Sequence, residues 1–299
     1  MESSRKKHKM RGSDRIFEII LYLVSLLILV IVLYPMYFVV IASFSDPSSV
    51  ASGQVWLYPR GFTLDGYSEI LKHGEIWIGY RNTIFYTIAG TFFGLMVNVF
   101  AAYALSRKDL VGRRFFSLMF LFTMFFNGGT VPTFLAVRDF GFYDSWTVLI
   151  VPFAVSVYNI IVARTFFENT IPEDITDAAK IDGCGNLRYF FQIVLPLSKA
   201  ILSVIALWTA VGMWNSYFNA LIYLRDPNKQ PLQIALRNIL ITNNMQMSFG
   251  SGEAMQVALR LSNLMRYSVI IVSTVPIMCF YPFVQKHFNK GVMIGAVKG

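Results

Sequence analysis

The chain has 299 residues, of which 55% are apolar and only 14% charged, whereas an ordinary soluble domain carries about 25% charged residues. A mean hydropathy of +0.53, gathered into long uncharged runs, excludes a water-soluble globular protein and points to one embedded in lipid. The formal net charge of +9 does not make it a nucleic-acid binder, because the basic residues flank the apolar runs.

A helix crosses the roughly 30 Å hydrocarbon core with about 20 predominantly apolar residues. Arg5, Lys6, Lys7, Lys9, Arg11 and Arg15 form a basic tail, residues 1–15, held in the cytoplasm by the positive-inside rule. The stretch that follows is too long for a signal peptide and has no small-residue cleavage site, so Ile16–Ser43 is expected to be a retained first span. Further stretches at Thr83–Ser106, Phe115–Val137, Ser145–Ala163, Ile193–Leu224 and Tyr267–Gln285 complete an all-α expectation of six transmembrane helices within residues 16–288, ahead of a cytoplasmic tail, 289–299.

Charge orients the connections. Arg107, Lys108, Arg113 and Arg114 against Asp109 alone place the second connection inside, and Lys286, Lys290 and Lys298 place the C-terminal tail there too. The first connection, Asp46–Arg81, has no basic excess and belongs outside. The connection at 225–266 carries several basic residues, yet parity puts it outside, and long loops obey the charge rule weakly. Within it Leu232, Ile234, Leu236, Ile239 and Leu240 predict a short packed helix. Gly90, Gly94, Ala101, Ala102 and Ala104 would let neighbouring helices approach the second span closely. Pro132, Pro152, Pro196, Pro276 and Pro282 would bend or break spans.

Cys184 and Cys279 fall in a cytoplasmic segment and in the last span, so both read as free thiols. His8, His73 and His287 share no ligand spacing, and no metal site is indicated.

Between the fourth and fifth spans lies a polar cytoplasmic segment, 164–192. Pro172 suits a first helical turn, Glu173 and Asp174 suit the positive end of a helix dipole, and Gly183 or Gly185 can end the helix, which predicts a surface helix over Pro172–Asp182. Ile175, Ala178, Ala179 and Asp182 recur at three- and four-residue spacing and give one narrow, small-residue face. Such a face can enter a protein groove or lie on headgroups. An acidic helix with a weak apolar face suits the groove better, because lipid-bound helices are basic.

Asp177-Ala-Ala-Lys-Ile-Asp-Gly183, followed at distance by Ile193-Val-Leu-Pro196, resembles the EAA loop of bacterial ABC import permeases, with Asp177 in place of the usual Glu. Asn127-Gly-Gly-Thr-Val-Pro-Thr133, Trp214-Asn-Ser-Tyr-Phe-Asn-Ala220 and the ending from Tyr281-Pro-Phe to Gly299 extend the likeness over nearly the whole chain, which resembles the MalG-like branch of carbohydrate permeases and its LplC-like group. The resemblance implies a type I ABC importer permease fold in the bacterial cytoplasmic membrane, with both termini cytoplasmic. It also implies a second homologous permease, two cytoplasmic ABC ATPases, an extracellular solute-binding protein and a carbohydrate substrate, most readily an oligosaccharide. Asp177, Ala178, Ala179, Asp182 and Gly183 would then belong to a coupling helix seated on an ATPase. No cofactor and no catalysis are expected on this chain: it has no Gly-x-x-x-x-Gly-Lys-Ser/Thr loop, so ATP and Mg²⁺ would be bound by the partner ATPases.

A sugar pathway needs amides and flat aromatic faces on one wall. Trp208, Trp214, Asn215, Tyr217 and Asn219 of the fifth span offer both, with Tyr158 and Asn159 of the fourth. The same residues could instead be interface belt, core or interhelical glue. Asn127, with Gly128 and Gly129, would mark a turn or broken helix at the outer mouth. The external stretches Trp56–Asp65 and Asn228–Met255 are the expected docking surface for a binding protein, on topology alone. A gradient-driven carrier is the alternative, but the spans carry no acid or histidine relay, Glu18 and Lys199 lying near span ends. A membrane enzyme would need a clustered nucleophile, metal set or acid pair, and none is present in the sequence.

Overall fold

In hydrocarbon each backbone N–H and C=O must find a partner within the chain, which leaves an apolar sequence of this kind the helix as its local solution. The computed structural model describes residues 12–249, 262–263 and 265–279, and no strand occurs among them. In chain order the helices are α1 (Gly12–Ser43), α2 (Pro47–Ala51), α3 (Asp65–Lys72), α4 (Gly74–Ser106), α5 (Arg113–Phe125), α6 (Thr130–Asp139), α7 (Val157–Thr170), α8 (Glu173–Ile181) and α9 (Asn186–Tyr189). A π turn at Phe190–Val194, then α10 (Leu195–Leu197), α11 (Lys199–Trp214), α12 (Tyr217–Tyr223) and α13 (Leu232–Phe249) follow, and α14 covers Met265–Cys279.

The described residues divide into two compact units, one of 12–69 with the segments between 243 and 271, the other of 70–242 with 272–279. In the first, α1 is exposed along most of its length, and only its last residues, Ile41, Ala42 and Ser43, are buried. Ser43 Oγ meets Tyr67 OH at 2.7 Å, and Phe44 stacks on Phe62 with centroids 5.9 Å apart. Asp46 caps α2 by accepting from the backbone N–H of Ser48 and Ser49.

The second unit is organised around α4. Its buried positions, Gly79, Asn82, Thr83, Tyr86, Gly90, Gly94, Asn98, Ala102 and Leu105, form a stripe at three- and four-residue spacing. The glycines in it are seats for neighbours: a Cβ on Gly90 would lie 2.7 Å from Met213 Sδ of α11, and one on Gly79 would lie 2.8 Å from Leu232 Cα of α13. Two buried clusters sit at opposite ends of α4. One joins Val99, Ala102 and Leu105 to Ile160, Phe167, Ala179, Tyr189 and Phe190. The other joins Tyr86 to Val137, Val148, Leu149, Ala220, Tyr223 and Ile234. At that second end, Asn82 donates to the carbonyls of Asn228 and Gln230 at 2.8 and 2.9 Å, and Thr83 Oγ1 accepts from Leu232 N–H at 2.8 Å. The packed helix expected in 225–266 is α13, with Leu232, Ile234, Leu236 and Ile239 buried.

The six expected spans are not six unbroken rods. Among the described residues α1 and α4 are long and apolar enough to cross a membrane singly, and two bent pairs could raise the number to four. The third expected span breaks between α5 and α6 with a 119° bend. There Gly129 adopts φ +88° and Asn127 Oδ1 accepts its N–H at 2.9 Å, the broken helix anticipated at these residues. The fourth, Ser145–Ala163, is not a single helix: 145–153 forms turns, and α7 starts only at Val157 and runs on through Thr170, into the segment read as the start of the polar loop. Asn98 of α4 is the physical reason, for its Nδ2 donates to Ala154 O at 2.8 Å while its Oδ1 accepts from Ser156 N–H at 2.7 Å, satisfying an open backbone at that point. The fifth bends by 84° at Ser198. Pro196 supplies no N–H to the ladder, and the chain shifts to π pairing, with Leu195 N–H on Phe190 O, before it turns. The sixth begins within α14, and its expected end, 280–285, lies outside the described residues.

Gly79→Ala places a methyl against backbone of α13 and should cost about 1–3 kcal/mol as an overpacked contact. The check is the melting midpoint in detergent, with Gly74→Ala, whose Cβ would meet nothing within 4 Å, as the control that stays at the parental value.

Candidate functional site

The polar segment forms the expected surface helix. Pro172 is the N-cap residue with φ −61° and ψ 144°, Glu173 and Asp174 occupy the first turn and Lys180 the last, each complementing the helix dipole. Asp182 is the C-cap, and Gly183 follows at φ +69°. Gly183 N–H donates to Lys180 O at 3.0 Å and Cys184 N–H to Ala179 O at 2.8 Å, the paired bonds of a Schellman ending. Of the two candidate terminators, Gly183 is the one that stops the helix.

The residues singled out on α8 do not share one face. Ala179 is 7% exposed and packs into the chain's own core with Phe167 and Tyr189. Ile175, Asp177, Ala178 and Asp182 are exposed. A step of about 100° per residue separates Ala178 from Ala179, enough to turn one out and the other in. Thr176 Oγ1 meets Tyr189 OH at 2.8 Å and so ties α8 to α9. Ile181 and Leu187, 87% and 71% exposed, extend the outward apolar surface. Neither was singled out in the sequence, although Ile181 stands three residues after Ala178 and six after Ile175.

Beside α8 a cavity of about 310 Å³ opens between the end of α4, the 107–113 connection and the end of α7. Charges of both signs line it. Lys108 pairs with Glu173, and Arg107 pairs with Asp109 at 2.7 Å. The hydrogen bond from Arg107 holds the Asp109 carboxyl below the usual carboxylate range. Lys108, one of the basic residues that orient the second connection, is thus also a partner of the acidic segment.

A second cavity, of about 510 Å³, lies between the start of α7 and the α11–α12 junction. Asn159, Trp208, Asn215, Tyr217 and Asn219 line it, with Tyr158, so it brings together most of the candidates read as a substrate pathway. The rings of Tyr158 and Trp208 lie 5.4 Å apart. Asn159 is 6% exposed, and among the described residues its side-chain amide makes no hydrogen bond. Asn215 Nδ2 donates back to Val211 O at 2.9 Å, leaving its Oδ1 available. Thr209 and Ser216 also line the cavity, and their buried hydroxyls have no partner among the described residues. Polarity inside an apolar run was the signal that could have found them, as it could have found Asn98. Among the described residues none that lines it carries a charge. Such a wall can stack on an apolar ring face and exchange hydrogen bonds with hydroxyls.

Two candidates lie elsewhere. Trp214 is 6% exposed, and its Nε1 donates to Ser273 O at 2.9 Å, tying α11 to α14. Asn127 closes the turn between α5 and α6 and does not line the cavity.

Comparison with known proteins gives a consistent result. Residues 76–294 match the family model described as binding-protein-dependent transport system inner membrane component. The chain is 39% identical, over 96% of its length and 99% of the relative's, to the polygalacturonan/rhamnogalacturonan transport system permease protein YtcP of Bacillus subtilis. It is 36% identical to protein LplC of the same organism over 90% of each chain. A solved chain from a bacterial ABC transporter involved in the import of the acidic polysaccharide alginate superposes with a TM-score of 0.84 at 34% identity, covering 94% of this chain and 100% of that one.

Gly183 offers a direct test of the α8 ending. A Cβ there would meet nothing within 4 Å, so Gly183→Ala carries only the left-handed backbone penalty, about 1–2 kcal/mol. Hydrogen exchange at the Cys184 amide should accelerate about five- to thirtyfold, and less in Gly183→Asn. An unchanged exchange rate in Gly183→Ala would show that this geometry does not hold the helix end.

Proposed function

The chain belongs to the family of binding-protein-dependent transport system inner membrane components, and on that premise we propose that it is the permease subunit of an ATP-binding-cassette importer that carries a carbohydrate, an oligosaccharide, into the cell. It forms half of a translocation pore completed by a second homologous permease. Two cytoplasmic ABC ATPases bind ATP and Mg²⁺ and drive it, and an external solute-binding protein delivers the cargo. The role of this chain is mechanical, without covalent chemistry, and both termini lie on the ATPase side.

The observation that carries this reading is the state of α8: capped at both ends and anchored to the core through Ala179, it nevertheless leaves Ile175, Ala178 and Ile181 exposed. A contiguous apolar set on a water-facing helix is what a partner surface covers. Closure of an ATPase dimer against Asp177, Ala178 and Asp182 moves α8, and with it the balance between inward-open and outward-open states. The ATPases' differential nucleotide affinity supplies the bias.

The carbohydrate assignment rests on the cavity between α7 and α11–α12. Its uncharged wall of Tyr158, Trp208 and amides suits the C–H faces and hydroxyls of sugar rings, which the sugar polymers named for its relatives also present, together with the carboxylates of the acidic ones. In this reading Asn159, Trp208, Asn215, Tyr217 and Asn219 touch the passing sugar, Trp214 supports α11 from behind, and Asn127 shapes the turn between α5 and α6.

Uptake of a labelled oligosaccharide into vesicles bearing the full complex should require internal ATP and external binding protein, and should persist when a protonophore collapses the proton gradient. Uptake that follows an ion gradient without ATP would overturn the proposal. In the same vesicles Trp208→Ala should slow uptake about two- to tenfold, the loss expected for one ring contact of ~0.5–1.5 kcal/mol, with protein level unchanged.

A further inference from the structure

Next to the segment that enters α8, the side chains of α5 and α7 close a ring. Arg113 Nη2 pairs with Glu168 Oε1. Arg164 Nε donates to the same oxygen at 2.8 Å, and Arg164 Nη1 donates to Ser117 Oγ at 2.8 Å. Ser117 Oγ in turn donates to the carbonyl of Arg113 at 2.7 Å, which returns the path to its start. Arg113 Nε meanwhile donates to Leu105 O at 2.8 Å. That carbonyl lies in the last turn of α4, where no intrahelical N–H remains to meet it. The Glu168 carboxylate therefore joins α7 to α5, and Arg113 carries the tie on to the end of α4.

The three ionic side chains are only 26–32% exposed. Charge-assisted hydrogen bonds at that depth are stronger and more directional than exposed ion pairs. Lys108 and Glu173 form the contrast, a single pair with side chains 75% and 68% exposed.

Chain geometry places the ring beside α8. α7 ends at Thr170, and only Ile171 and Pro172 intervene before Glu173 opens α8. Phe167, the residue before Glu168, shares the buried cluster with Ala179 of α8. Consecutive residues of α7 thus hold α8 by packing and α4–α5 by ionic bonds. Packing is non-directional and tolerates sliding, whereas the ring fixes orientation.

We propose that Glu168 is a positioning residue for energy coupling: the Arg113–Glu168–Arg164–Ser117 ring makes α7 and the attached α8 move as one body with the ends of α4 and α5. This rests on the permease reading given above. Displacement of α8 by a partner then reaches the bundle instead of being absorbed in the two-residue joint. Without the ring α8 still docks and the ATPases still turn over, but strokes are lost.

The test uses the whole complex in vesicles, reading sugar uptake and ATP hydrolysis on one sample. The parent is measured first, and uptake there without ATP dependence would fail the permease reading itself. Glu168→Gln keeps the shape and removes the charge. Its hydrolysis should stay within about twofold of the parent while uptake per ATP falls about tenfold, the factor that loss of ~1.4 kcal/mol from a charge-assisted bond gives. Glu168→Asp should recover most of that ratio. Ser117→Ala opens the ring without touching a charge and should lower the ratio about threefold, less than a full charged bond, and it decides the case if Glu168→Gln does not assemble. Lys108→Ala, which breaks the exposed pair, should leave the ratio at the parental value. An unchanged ratio in Ser117→Ala and Glu168→Gln, or uptake and hydrolysis falling in equal proportion, would reduce the ring to ordinary stabilisation and overturn the proposal.

Discussion

The constraint on which the structure depends is that a backbone group freed inside an apolar stretch must be taken up by the chain itself, because hydrocarbon offers no partner. Each interruption of a helix shows how. Asn127 takes the N–H of Gly129 where α5 gives way to α6. Asn98 takes both a carbonyl and an N–H of the open segment at 154–156. A π turn re-pairs the ladder ahead of Pro196. These devices take up peptide groups where the spans bend, and a bent span makes room for a cavity where a straight one would fill it with side chains.

The buried stripe of α4 converts those local solutions into a mechanical body. Its glycines let α11 and α13 approach closely, and the clusters at its ends hold different parts: α8 through Phe167 and Ala179 at one end, the 228–232 segment through Asn82, Thr83 and Tyr86 at the other. A close-packed interior resists compression, so a rigid helix between two such clusters relates events at its ends. The ring about Glu168 belongs to this arrangement, adding direction where apolar contact supplies only cohesion.

Two buried asparagines are placed differently. Asn98 and Asn159 are both asparagines in apolar surroundings and both buried. Asn98 spends its amide on Gly94, Ala154 and Ser156. Asn159 borders a cavity whose lining also includes the hydroxyls of Thr209 and Ser216, unpartnered among the described residues.

Much was legible from the residues alone. Lipid embedding followed from composition, and the first two spans from long apolar runs, because both depend on local chemistry summed over a window. The α8 helix and its end followed from Pro172, the acidic first turn and Gly183, which act within a few residues of themselves. Breaks in the spans were expected from Pro132, Pro152 and Pro196 and from Asn127 with its glycines, but the sizes of the bends and the point at which α7 begins were not legible, nor was the division of Ala178 from Ala179. Hydropathy counts apolar residues without regard to which distant group they meet, and the start of α7 beside Asn98 and the burial of Ala179 against Phe167 and Tyr189 were decided by such meetings. Arg164 and Glu168 stand four residues apart, a spacing that one helix brings together. Arg113 lies on a separate segment, and only the tertiary packing of α5 against α7 brought it within reach of Glu168, an approach that no spacing along the chain encodes.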